Sequence, residues 1–68
     1  MKNYEEAKQE AKRVIDRYYG GDKMGCCIIE YKPRRNSRKT RWGFIFHAED
    51  SNGEWVERDG IYERRYAL

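Results

Sequence analysis

Large apolar residues are scarce in this chain. Leu, Ile, Val and Phe together supply ten of 68 residues, a share that on its own suggests disorder. Six Tyr and two Trp oppose that reading, and a net charge of +3 is too small to hold the chain open. The chain is therefore expected to fold as one domain over residues 1–68, around aromatic rather than aliphatic side chains. No apolar run approaches the length of a bilayer span, which excludes a membrane-crossing helix. The charged opening segment does not resemble a signal peptide, so a cytoplasmic location is expected. The only cysteines, Cys26 and Cys27, are adjacent, and neighbours on a strand point to opposite faces. They have neither zinc-like nor CxxC spacing, and read as one core thiol and one semi-exposed thiol in a reducing compartment.

What is present is patterning. Tyr4, Ala7, Ala11, Val14, Ile15 and Tyr18 recur at three- and four-residue steps, predicting an amphipathic helix over residues 3–19. Asn3 with Glu6 has capping-box spacing at its start, and Gly20-Gly21 ends it. Strands are predicted at about 24–32, 40–48, 54–58 and 61–67, with turn signals at Asn52-Gly53 and Asp59-Gly60.

If both turns are two-residue loops, Ser51 faces Glu54, Asp50 faces Trp55, Arg58 faces Ile61 and Glu57 faces Tyr62. That register gathers Trp42, Phe44, Phe46, Ala48, Trp55, Tyr62 and Tyr66 on one face. The opposite face carries Arg41, Ile45, His47, Val56, Arg58, Ile61 and Glu63. The fold class expected is α+β: an N-terminal helix packed on the aromatic face of a three- to four-stranded antiparallel meander. Which face of the first strand joins the core, Cys26 with Ile28 or Cys27 with Ile29 and Tyr31, stays open.

Charge is unevenly placed. Residues 32–41, KPRRNSRKTR, hold six basic residues and no acid. Residues 1–31 carry six basic and six acidic groups, and residues 42–68 carry three and six. The whole positive excess therefore sits in one inter-strand loop, the pattern of a site for an anionic partner. Arg34, Arg35, Arg38, Lys39, Arg41 and Arg58 are its candidate charged contacts, with Ile45, Val56 and Ile61 as apolar contacts on the uncovered face. The partner expected is an acidic protein surface; the alternative is nucleic acid, with phosphates on the loop and Tyr19, Tyr31 or Tyr62 stacking on bases. The bland reading of the same loop is a solvated hairpin tip kept charged against aggregation.

Catalytic signals are weak. His47 is the only histidine, and a histidine needs a positioned nucleophile; Cys26 or Cys27 could meet it if the first two strands pair. Gly60-Ile61-Tyr62 matches the opening tripeptide of GIY-YIG nucleases, but the companion Tyr-Ile-Gly is absent. No P-loop, dinucleotide fingerprint or metal-ligand cluster occurs. The expectation is a non-enzymatic protein without cofactor, metal or small-molecule substrate.

The helix, the short strand and Arg41-Trp42-Gly43-Phe44-Ile45-Phe46 together resemble the YrhB-type family of small bacterial immunity proteins over residues 4–48. Trp and Gly stand in reversed order here, and the family's later motif is missing from residues 49–68, so no functional residue carries over. The resemblance implies a protein that binds and neutralises a toxin partner in a bacterial cytoplasm. With the polarised charge and the lack of a catalytic set, the function expected is a small bacterial or phage inhibitor or immunity-type protein that acts by direct contact.

Overall fold

Asn3 sets the start of the helix. In the computed structural model, which describes residues 2–22, 25–47 and 53–68, its Oδ1 accepts the Glu6 N–H at 2.8 Å. The helix, α1, spans Tyr4–Tyr19, with Glu5 and Glu6 in its first turn and Arg17 in its last, signs that suit the helix dipole. Gly20 ends it at φ 63°, a left-handed conformation that glycine adopts without a Cβ clash. Ala7, Ala11 and Ile15 are buried, whereas Tyr18 is 66% exposed. The stripe advances in steps of four instead, and Tyr19 is the residue that reaches the sheet, its ring 5.0 Å from that of Phe46.

Four strands follow: β1 (Cys26–Lys32), β2 (Arg41–Phe46), β3 (Val56–Arg58) and β4 (Ile61–Ala67). All neighbouring strands are antiparallel, so the structure is α+β, with one helix on a four-stranded antiparallel sheet. The order is β2-β1-β4-β3, not the consecutive order of a meander. In a meander β1 would lie at an edge, yet its Cys-Cys-Ile-Ile run is apolar on both faces. A strand of that kind suits an interior position, where both backbone edges are paired. The Asp59-Gly60 turn joins β3 to β4 with Arg58 opposite Ile61 and Glu57 opposite Tyr62, as expected. Both turn residues have positive φ, 52° and 77°, which a type I′ turn requires. The pairing expected around Asn52, and Ala48 with it, lie outside the described residues, while β2 and β3 occupy opposite edges.

The face assignments survive the change of order, because alternation along a strand is local. Cys26 and Ile28 face the helix together with Trp42, Phe44, Phe46 and Tyr66, and Cys27, Ile29 and Tyr31 take the other side. The deepest positions are small or aliphatic: Ala7, Ala11, Ile15, Cys26 and Ile28. The aromatic side chains form a half-buried wall around them, which corrects the expectation of an aromatic centre. Widths explain this. A helix is ~10 Å across, whereas four strands at ~4.8 Å spacing span ~14 Å between their outer axes.

The helix backbone lies over β1 and β2, and Tyr4 reaches β4, its ring 6.0 Å from that of Tyr66. Beside it, Trp55 shields the helix side of β1 and β4, with Lys32 Nζ 4.1 Å and Arg64 Cζ 4.2 Å from its ring centroid. Glu30, between them and the core, accepts the Tyr66 hydroxyl at 3.0 Å. The Arg64 Nε lies 3.6 Å from the same carboxylate, close enough for charge attraction but too long for a hydrogen bond. Among the described residues no helix is long and apolar enough to cross a membrane.

Candidate functional site

One cross-strand row organises the face turned away from the helix. Arg41, Tyr31, Glu63 and Val56 stand side by side across β2, β1, β4 and β3. One row toward the basic loop, Ile61 is paired with Arg58. Successive rows on one face are ~6.6 Å apart along the strand, and between these two rows the surface dips. The cavity there measures about 280 Å³ and is lined by Tyr31, Lys32, Pro33, Lys39, Arg41 and Ile61.

The loop places its cations by local chemistry. Pro33, which lacks an N–H, follows the last residue of β1 and stops the ladder. The Ser37 N–H then donates to the Arg34 carbonyl at 3.1 Å, and the Ser37 hydroxyl accepts the Lys39 N–H at 3.2 Å. These two bonds turn the chain back, so that Lys39 and Arg41 enter the cavity wall. Tyr31 is steadied by Gly43 on the neighbouring strand. A side chain added there would begin 4.0 Å from the tyrosine ring and 3.6 Å from Ile29, so both residues rest over a bare backbone.

The electrostatics are one-sided. Among the described residues no acid lines the cavity. Glu63, the carboxylate of the row, is drawn to Arg65, with Oε2 3.5 Å from Nη2. The Lys32 side chain leaves the sheet on the opposite face, where its ammonium sits over Trp55, so its charge is directed away from the cavity. Among the described residues, neither Lys39 nor Arg41 has a carboxylate within ion-pair distance. Ile61, at the mouth, is 42% exposed.

Of the residues singled out from the sequence, the cavity gathers Lys39, Arg41 and Ile61. Arg34, Arg35 and Arg38 are exposed on the loop beyond it. Val56 and Ile45 share the face but stand apart, Val56 on the far edge strand and Ile45 beside Cys27 near the other end of the sheet. Arg58 is exposed next to Ile61. His47 falls one residue past β2 and leaves the expected face pattern, with φ at 62° and its N–H donated to the Gly25 carbonyl. Tyr31, Lys32 and Pro33 are the lining residues not expected as contacts for a protein partner. In the nucleic-acid alternative Tyr31 is expected only as a stacker for bases; of the other two stackers, Tyr19 packs on Phe46, and the Tyr62 hydroxyl donates to Glu57 at 3.4 Å.

Thiol chemistry finds no support in the geometry of Cys26. Burial, and secondarily the neighbouring Cys27, push its thiol above the ordinary value, opposite to what an activated nucleophile needs. Among the described residues no group of three or more His, Cys, Asp or Glu converges as a metal cage. Comparison of the chain with family models, curated proteins and solved structures finds no match.

Proposed function

We propose that this protein is a non-enzymatic binding module of the inhibitor or immunity type. It engages an acidic surface on a partner protein through the basic β1–β2 loop and the adjoining sheet face. One observation supports the reading above the others: Lys39 and Arg41 share a cavity with Tyr31 and Ile61. Cationic and apolar contacts thus adjoin, the mixture from which protein interfaces are built. Arg34, Arg35 and Arg38, exposed around this point, supply steering charge.

The test is capture of a partner by the immobilised protein from nuclease-treated lysate, compared with a variant carrying Arg34, Arg35, Arg38 and Lys39 all changed to Glu. A protein retained by the wild type and released by the variant is the expected result. Equal retention by both would remove the loop from the interface. Nucleic acid is the second reading, favoured by the placement of the Tyr31 ring beside two cations. Fluorescence anisotropy with single-stranded and duplex oligonucleotides decides it. Phosphate contacts lose affinity linearly with log salt, at a slope of about −0.9 per phosphate on duplex DNA.

A further inference from the structure

Resting on the acidic-partner reading, we infer that the cavity between the Tyr31 and Ile61 rows is an anchor subsite for one aromatic side chain flanked by carboxylates. Size is the first argument. At about 280 Å³ the cavity falls just below the ~300–1,000 Å³ of sites for drug-sized ligands, and suits a single side chain inserted from a larger partner. Its walls give the second. Tyr31, Pro33 and Ile61 are apolar surfaces, and a ring entering between them meets Tyr31 in an offset or edge geometry. Lys39 and Arg41 supply the third: two cations with no acid among the described lining residues ask for negative charge beside the ring.

The same lining argues against the other anionic ligands. A nucleobase brings N–H donors that need acceptors, and among the described lining side chains only the Tyr31 hydroxyl can accept. A phosphate pushed to the apolar floor would lose hydration there without a partner. The ligand that satisfies walls and rim together has an apolar ring inside and carboxylates at the edge, as in an acidic peptide segment with a central Phe.

The experiment follows backbone amide NMR spectra of the whole chain during titration with three peptides. These are acetyl-Glu-Asp-Phe-Asp-Glu-amide, its counterpart with Ala for Phe, and a counterpart with Lys at every acidic position. The acidic Phe peptide is expected to shift the amides of Tyr31, Lys39, Arg41 and Ile61. It should bind about tenfold more tightly than the Ala peptide, the worth of burying most of one aromatic side chain. In an Ile61→Asp variant, whose spectrum elsewhere reports an intact fold, that tenfold advantage should vanish. Equal binding of the Phe and Ala peptides would overturn the subsite while leaving the acidic-partner reading intact. Silence toward both acidic peptides at millimolar concentration would also overturn the subsite. If a short oligonucleotide then shifted the same four amides, the acidic-partner reading would go with it.

Discussion

Ile28 and Ile29 are the same residue, side by side on one strand, and face opposite ways. Ile28 is fully buried against Ala7, Ala11, Ile15 and Cys26, while Ile29 is half-buried over Gly43 on the side without a helix. Truncation of Ile28 to Ala removes three carbons from an enclosed space. At ~0.8 kcal/mol per methylene, plus the cavity left behind, the loss falls in the range of ~2–5 kcal/mol measured for such changes, and we expect about 4. Truncation of Ile29 opens space that water enters, so the cavity contribution drops out and only part of the transfer energy is lost, about 1 kcal/mol. A domain of 68 residues has a total stability of about 3–10 kcal/mol at ~0.05–0.15 kcal/mol per residue.

Ile28→Ala therefore consumes a large part of the total, and Ile28→Val, at about 1 kcal/mol, gives the graded version if the alanine variant does not fold. The assay is urea unfolding followed by the fluorescence of Trp42 and Trp55. With a slope near ~1 kcal/mol/M for so small a domain, Ile28→Val should lower the midpoint by about 1 M. Ile29→Val should lower it by less than half of that. Equal losses at the two positions would refute the reasoning, because they would mean that the face away from the helix is covered as fully as the core.

Two further predictions read the same geometry chemically. Cys27 should react with an aromatic disulfide reagent before Cys26, and Cys26 should need more alkaline pH, since burial first and Cys27 second raise its thiol; prior reaction of Cys26, seen in Cys26→Ala and Cys27→Ala variants, would contradict the strand's facing. The Tyr66 phenol is also raised, by burial first and then by its hydrogen bond to Glu30 and the Glu30 charge, with Arg64 pulling it down. A raised pKa favours the neutral phenol in the folded state, so its contribution is whole below the ordinary phenol value of about 10 and is lost as pH rises through the folded value. The urea midpoint should thus fall more steeply above pH ~10 in the wild type than in Tyr66→Phe, and parallel slopes would count against it.

Periodicity and turn chemistry made the helix, the Asp59-Gly60 hairpin and the facing of β2, β3 and β4 legible in the sequence, while the facing of β1 stayed open. Each depends on residues within a few positions of one another, where capping, turn chemistry and strand alternation act. Strand order does not. The Asn52-Gly53 signal suggested that β2 and β3 are neighbours, but β1 and β4 pair instead, a choice made by burial of the Cys-Cys-Ile-Ile run over a long separation. The same gap hid half of the site. Lys39 and Arg41 stood out as part of a basic run. In a consecutive meander, however, Ile61 would lie three strands from Tyr31, and no cavity between them could be foreseen.

The hydrogen bond from Tyr66 to Glu30 spans 36 residues of sequence. It crosses the junction where the β1–β2 pair meets the β3–β4 pair, and each of those pairs alone would be marginal in water. Synthesis runs from the N-terminus, so β1 and β2 leave the ribosome well before β4, the inner strand that seals them. During that interval the Cys26–Lys32 strand presents an open backbone edge beside four apolar side chains. A partly folded chain in which β1 and β2 have paired but β4 has not docked is therefore the species most vulnerable to misassociation.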